Sequence, residues 1–96
     1  PKDELYGSTS QIRRSSLSIV LNYIEGYARI KSAVQLNFFE TSYGSLKESK
    51  YLVRFAHDEG WISEEEFTQG GELVDEVGAM LWTELKNLRK AIKGKD

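Results

Sequence analysis

The sequence contains no cysteine, one proline and one histidine. Without cysteine, the protein has no disulfides, no thiolate metal site and no thiol catalysis. The only proline is Pro1, so no proline interrupts a helix further along the chain. No apolar run approaches the roughly 20 residues needed to cross a bilayer, and there is no signal-peptide pattern. We therefore expect a cytoplasmic protein with no membrane partner.

Known catalytic, nucleotide-binding and metal-binding motifs are also missing. There is no Gly-x-Ser-x-Gly, no phosphate-binding Walker loop and no dinucleotide fingerprint. His57 is the only histidine, so no histidine pair can bind a metal, and no Glu-x-x-His motif of a di-iron bundle occurs. We expect a protein that is not an enzyme, with no catalytic residue, metal, cofactor or small-molecule substrate.

What is present is an ordinary globular composition. The 96 residues are 40% hydrophobic and 29% charged, which indicates a single domain spanning residues 1–96. Thirteen basic against fifteen acidic residues give a net charge of −2. This balance excludes the broad basic surface on which non-specific nucleic-acid binding rests.

Apolar residues recur at steps of three and four in three segments, which predicts an all-α fold of antiparallel long helices over residues 8–30, 33–59 and 64–93. Ser8 or Thr9 is the expected cap of the first helix. Gly60 is expected to end the second helix in a left-handed conformation. Ser63 followed by Glu66 predicts a capping box at the start of the third. Gly70-Gly71 fits either a hinge or a close backbone contact.

The periodicity also predicts which residues form the core. The first helix is expected to bury Ile12, Ser16, Ile19, Tyr23, Tyr27 and Ile30, with Leu17, Val20, Leu21 and Ile24 widening this face. The second is expected to bury Leu36, Phe39, Tyr43, Leu46, Val53 and Ala56, and the third Phe67, Val74, Val77, Leu81, Leu88 and Ile92. The width of the first face favours packing against more than one neighbour.

Folding the chain about its two short turns predicts which residues lie opposite one another. Gly44 and Ser45 fall opposite Ser18 and Ile19, where small residues allow two backbones to approach. The same folding predicts two cross-helix ion pairs, Arg14 with Glu48 and Lys47 with Glu76.

The charges segregate along the last helix. Residues 64–84 hold seven acids and no bases, whereas residues 86–95 hold five bases and no acid. One end of the bundle should therefore gather Arg29, Lys31, Arg89, Lys90, Lys93 and Lys95. Helix-dipole matching at solvated ends explains this pattern. The alternative is a basic rim for nucleic acid, with phosphate contacts from Arg29, Lys31, Arg89, Lys90 and Lys93. His57 is expected at the acidic end, as a helix-end histidine close to carboxylates.

Aromatic residues exceed what three helices bury comfortably. The set is Tyr23, Tyr27, Phe38, Phe39, Tyr43, Trp61 and Trp82. Such a surplus indicates a further helix or a partner subunit, because exposed apolar patches usually mark an interface. Single-stranded nucleic acid also stacks on aromatic rings, but Tyr43 and Trp61 largely lack the basic neighbours that this requires.

Several runs resemble one known family. They are Pro1-Lys2-Asp3-Glu4-Leu5-Tyr6-Gly7, Thr9-Ser10-Gln11-Ile12-Arg13-Arg14-Ser15, Ser18-Ile19, Asn22, Glu25-Gly26, Gly44-Ser45-Leu46-Lys47-Glu48 and Gly60-Trp61-Ile62. Over most of the chain, these residues resemble the four-helix-bundle proteins encoded in 23S rRNA intervening sequences. At the level of the fold alone, the chain is also similar to the accessory variability protein of diversity-generating retroelements, which works with a reverse transcriptase and RNA.

The resemblance implies an up-down four-helix bundle, commonly a ring-like homopentamer, with no cofactor and a poorly defined function. Relative to that family, the first helix would precede Pro1 and is absent, and Val20 replaces a usual proline. The apolar surface left uncovered then needs another subunit, or the chain is a fragment. The leading hypothesis is a non-catalytic, self-associating interaction or scaffold protein, a homo-oligomer. The alternative is an accessory protein that binds RNA, or works with a nucleic-acid-associated protein, through its basic end.

Overall fold

Three long helices form the computed structural model, which describes residues 2–94, with side chains for residues 5–94. They are α1 (Lys2–Tyr27), α2 (Ser32–Asp58) and α3 (Glu64–Lys93). Both α1 and α3 pack against α2 but make no close backbone contact with each other over the described residues. The result is an elongated body of 53 × 22 × 16 Å with α2 in the middle. The predicted all-α class is confirmed for this part of the chain. None of the described helices is long and apolar enough to cross a membrane.

The start of α1 differs from the prediction. The helix already includes Lys2, so Ser8 and Thr9 lie within it and do not cap it. The Thr9 hydroxyl instead donates to the Leu5 carbonyl, 2.9 Å away and one turn earlier. Threonine and serine hydroxyls can make such a bond inside a helix, and for that reason their presence alone does not locate an N-terminus.

The corner between α2 and α3 follows the prediction. Gly60 has a φ of +77°, a left-handed value that a side chain would disfavour. The Ser63 hydroxyl accepts from the Glu66 backbone N–H at 3.0 Å, and the Glu66 carboxylate accepts from the Ser63 N–H at 2.8 Å. The capping box is therefore present. The hydrogen bond from the Ser63 backbone N–H to the Glu66 carboxylate, followed by that from the Ser63 hydroxyl, holds the pKa of the Glu66 carboxyl below its ordinary value.

Hydroxyl groups line the contact between α1 and α2. We call them the serine ladder: Ser15 with Ser49 at 2.7 Å, Ser18 with Ser45 at 2.8 Å, and the Ser42 hydroxyl donating to the Ile19 carbonyl at 2.7 Å. Three of these serines, Ser15, Ser42 and Ser49, are buried. The ladder confirms that Ser45 lies opposite Ser18, and its small side chains allow the two helices to approach closely.

Gly26, not Gly44, is the glycine that this close approach requires. A Cβ atom on Gly26 would lie 2.7 Å from Cε1 of Phe39 and 2.9 Å from Cβ of Phe38. Gly44 is exposed, and a Cβ atom there would meet nothing within 4 Å. The prediction for Gly44 is therefore wrong, because this glycine faces away from the partner helix.

The centre of the contact between α2 and α3 is apolar, and exposed ion pairs cross its edges. The buried hydrophobic residues are Phe39, Leu46, Leu52 and Ala56 of α2 with Leu81 and Leu85 of α3. Neither predicted cross-helix ion pair is among those that the described residues form. An ion pair joins Lys50 to Asp75 instead, at 3.3 Å. Helix α3 continues through Gly70 and Gly71, so no break occurs there.

Helix α1 is rotated relative to the predicted core face. Ser16 is exposed, as are Tyr27 (69%) and Ile30 (98%), so their assignment to the core is wrong. Because α1 presents serines to α2, its aliphatic residues are displaced outward. Ile30 is further from the core because α1 ends before it.

Candidate functional site

An exposed apolar strip runs along α1 and a second along α3. The first contains Leu17, Val20, Leu21 and Ile24, each more than half exposed, and the second contains Leu73, Val77 and Met80, with Met80 70% exposed. Within each helix these positions are three or four residues apart and therefore share a side of the helix. We call the two strips together the apolar face. The sequence predicts that its α1 residues pack on a second neighbour. In the described part of the chain, no second neighbour covers them.

A shallow cleft separates the two strips. Its lining is mostly apolar: Ile19, Val20, Tyr23, Val77, Met80, Leu81 and Glu84. Its volume is about 210 Å³, below the roughly 300–1,000 Å³ of pockets that enclose small molecules. A groove of this shape between two helices suits the side chains of a third helix better than a compact ligand.

One polar contact bridges the cleft. The Tyr23 hydroxyl donates to Glu84 Oε1 at 3.2 Å, linking α1 to α3. The Tyr23 ring also stacks on buried Phe39, with ring centroids 5.3 Å apart. Partial burial, followed by the negative charge of Glu84, raises the pKa of the Tyr23 phenol above its ordinary value. This contact ties the two outer helices together at the base of the apolar face.

A second candidate surface lies on the last third of α3. We call it the basic surface, and its members are Trp82, Lys86, Asn87, Arg89, Lys90 and Lys93, which line one open depression. The Arg89 guanidinium lies 5.7 Å from the centre of the Trp82 ring and bonds to Glu40 of α2 at 2.9 Å. Tyr43 also approaches Trp82, with ring centroids 5.9 Å apart. Trp82 nevertheless keeps 42% of its surface exposed.

The five predicted phosphate contacts do not form one group in the described contacts. Arg89, Lys90 and Lys93 share the basic surface. Arg29 instead pairs with Glu25 at 2.7 Å and lies over the Phe38 ring, whereas Lys31 is exposed at the N-cap of α2. Lys95, also assigned to the basic end, lies outside the described residues.

His57 lies at the acidic end, as expected. Its Nε2 is 2.6 Å from Glu64 and its Nδ1 is 3.8 Å from Asp58, while its ring stacks on Phe67 with centroids 4.2 Å apart. These contacts join the end of α2 to the start of α3. Among residues 5–94, no cluster of three histidine or carboxylate side chains is placed to hold a metal ion.

Sequence reasoning missed two members of the basic surface, Lys86 and Asn87, and did not connect Trp82 with it. The signal was present, because Trp82, Lys86, Lys90 and Lys93 follow one another at four, four and three residues. That spacing places one aromatic ring and three cations on the same side of a helix.

The chain matches a known protein family over most of its length. Residues 1–83 match the family described as 23S rRNA-intervening sequence protein. No individually curated protein matches the chain. The match covers α1, α2 and most of α3, and it therefore includes the apolar face and Trp82 but not the lysines that follow it. On this basis, the chain belongs to the 23S rRNA-intervening sequence protein family.

Proposed function

We propose that this protein is a non-catalytic, self-associating interaction module in which copies of the chain cover one another's apolar face. The observation that carries the proposal is the pair of exposed aliphatic strips on α1 and α3. Contiguous exposed apolar surface is uncommon on monomeric proteins and usually marks an interface. Covering it yields roughly 25 cal/mol for each Å² removed from water.

A second copy of the chain is the occupant that we propose. The segment from Ser15 to Ile24 contains no charged residue, so two copies can meet there without burying an unpaired charge. The aliphatic strip of α1 also has the three- and four-residue spacing with which a helix fills a groove between two others. One copy's α1 strip therefore suits a neighbour's cleft, in the position that a fourth helix has in a four-helix bundle. The resemblance noted above favours five copies in a ring.

The test is the mass of the particle in solution, measured by light scattering over a range of micromolar concentrations. We expect the full chain to give a multiple of its 11.0 kDa mass. Met80→Glu places a charge on the apolar face and should shift the mass to that of one chain. Ala79→Glu is the matched control, because Ala79 is also exposed but lines a different depression, together with Lys47 and Asp75.

Circular dichroism of both variants shows whether a change in mass results from unfolding or from lost association alone. A single-chain mass for the unmodified protein would contradict self-association. An unchanged mass for Met80→Glu, with its helix content intact, would show that copies meet elsewhere. Equal dissociation by Ala79→Glu would assign the effect to added charge in general and not to the apolar face.

A second candidate function is RNA binding by the basic surface, as an accessory protein. Its support is the grouping of Lys86, Arg89, Lys90 and Lys93 on one helix side, away from the acidic half of α3. Phosphate contacts of this kind make affinity fall as salt rises. Salt-dependent binding of a labelled RNA, abolished by charge reversal at Arg89 and Lys90, would support this function, and unchanged affinity would contradict it.

A further inference from the structure

We propose that the basic surface binds single-stranded RNA, with an unpaired base stacked on Trp82 and the backbone phosphates on Lys86, Lys90 and Lys93. This inference rests on the second candidate function and adds to it the form of the nucleic acid and the residue that receives a base. It also assigns phosphate contacts differently from the sequence prediction, by including Lys86 and giving Arg89 another role.

Trp82 is suited to stacking because it is held in place and still accessible. Arg89 lies over its ring at 5.7 Å and is fixed by Glu40 on the neighbouring helix, while Tyr43 approaches at 5.9 Å. The ring keeps 42% of its surface exposed despite these contacts. An exposed aromatic ring can stack on any base through its π-face. Arg89 therefore acts as a positioning residue whose charge is already shared with Glu40.

Because Arg89 is paired with Glu40, the positive charge available to phosphates comes from Lys86, Lys90 and Lys93. All three are exposed, and none of them forms an ion pair within the described part of the chain. Successive members from Trp82 onward are about one helical turn apart, a rise of about 4.5–6 Å. A row of cations at this interval beside an aromatic ring follows an extended strand, in which phosphates and bases alternate. A duplex would keep its bases paired and leave the ring unused.

Asn87 favours RNA over DNA. Asn87 lines the same depression as the lysines, and an asparagine amide offers both a donor and an acceptor. The 2′-hydroxyl of ribose is likewise a donor and an acceptor, and it is the group by which proteins distinguish RNA from DNA. We therefore place the ribose of the bound strand beside Asn87.

The experiment is a fluorescence-anisotropy titration of a labelled unstructured RNA oligonucleotide with the full chain, at several salt concentrations. Trp82→Ala should weaken binding roughly tenfold, as expected when one base no longer stacks, and leave the salt dependence unchanged. Trp82→Phe keeps an aromatic ring and should recover most of the affinity. Lys86→Glu with Lys90→Glu should weaken binding and also reduce the salt slope, by about 0.7 for each phosphate that the protein no longer neutralises.

The matched control for charge is Arg54→Glu. Arg54 is exposed and follows Val53, which lies beside Gly70 of α3. Gly70 and Lys90 are separated by 20 residues, about 30 Å along the helix. Arg54→Glu should therefore leave the affinity nearly unchanged, and an effect equal to that of the lysine variant would overturn the assignment of the phosphate contacts.

The outcomes separate this inference from the function on which it rests. If RNA binds and the lysine variant weakens it but Trp82→Ala does not, the basic surface binds phosphates and the stacking proposal is wrong. If a DNA oligonucleotide of the same sequence, or an RNA duplex, binds equally well, the assignment to single-stranded RNA is wrong. If the unmodified chain binds no RNA at low salt, both the inference and the second candidate function fail, and self-association is unaffected. Circular dichroism of each variant excludes unfolding as the cause of weaker binding.

Discussion

Gly26→Ala tests whether the close approach of α1 and α2 depends on a missing side chain. The added Cβ atom would lie 2.7 and 2.8 Å from two carbons of the Phe39 ring and 2.9 Å from Cβ of Phe38. Neither neighbour can yield easily. Phe39 has only 3% of its surface exposed and its ring stacks on Tyr23, while Cβ of Phe38 is fixed to the α2 backbone.

Two opposing effects set the size of the change. Overpacking of this kind costs about 1–3 kcal/mol. Replacing glycine by alanine inside a helix returns up to about 1 kcal/mol, and less here because Gly26 lies one residue from the end of α1. We therefore expect Gly26→Ala to lower the free energy of unfolding by about 1–2 kcal/mol. The matched variant Gly44→Ala, at an exposed and open position within α2, should raise it by up to about 1 kcal/mol.

Urea denaturation followed by circular dichroism measures both variants at one protein concentration. The same concentration is needed because association would make the apparent stability depend on it. The informative quantity is the difference between the two variants, which removes the part of the helix-propensity effect that they share. A Gly26→Ala protein as stable as Gly44→Ala would refute the close approach of the two helices at this point.

Three further measurements probe other contacts. Ser63→Ala removes the capping box and should lower the free energy of unfolding by about 1 kcal/mol in the same urea assay; no change would show that α3 starts independently of its cap. Glu84→Gln should lower the pKa of the Tyr23 phenol without returning it fully to the ordinary value, because partial burial remains, and absorbance titration of the phenolate measures this. Since that pKa is raised on folding, the stability that it contributes is present below about pH 10 and lost as pH rises through the higher folded-state value. Ser15→Ala should cost about 1–2 kcal/mol by leaving the buried Ser49 hydroxyl without its partner, and Ser49→Ala should cost less because the Ser15 hydroxyl also donates to the Ile12 carbonyl at 3.2 Å. The double variant should cost less than the sum of the two single changes, and strict additivity would contradict a direct bond between the serines.

Local features of the fold were predictable from the sequence. The capping box at Ser63 and the left-handed Gly60 depend on residues within a few positions of each other, and both are present as predicted. The core face of α2 was largely correct, with Phe39, Leu46 and Ala56 buried, whereas on α3 Leu81 is buried as predicted but Val77 is exposed, so its assignment to the core is wrong. Helical periodicity is enough where an apolar residue faces another helix of the same chain, as Leu46 and Leu81 do, but not for Val77, which no described helix covers.

The orientation of α1 was not predictable in the same way. Periodicity finds an apolar side on a helix but does not tell whether the same chain covers it. Ser15 and Ser49 are buried because each satisfies the other's hydroxyl at 2.7 Å, and such a pairing between positions 34 residues apart leaves no periodic signal. The sequence likewise does not show which glycine lies against the partner helix. In the structure this is Gly26 and not Gly44.

The candidate functional residues were likewise predictable only in part. The cluster of bases late in α3 was visible as a run of charge, and Arg89, Lys90 and Lys93 do share a surface. The attachment of Arg29 to Glu25 and of Arg89 to Glu40 was not predicted. Net charge and sequence position indicate where cations gather, but which of them remain available depends on neighbouring carboxylates in three dimensions.

The serine ladder has a consequence for how this protein can change through mutation. Helix α1 uses hydroxyls to contact α2, while Leu17, Val20, Leu21 and Ile24 on the same helix remain exposed. The residues that determine folding are therefore different from those available for recognition, although both belong to one helix. Substitutions at Leu17, Val20 or Ile24 can therefore change the exposed apolar surface while the hairpin of α1 and α2 keeps its stability. Such separation lets binding preference diverge among related sequences without a matching loss of the fold.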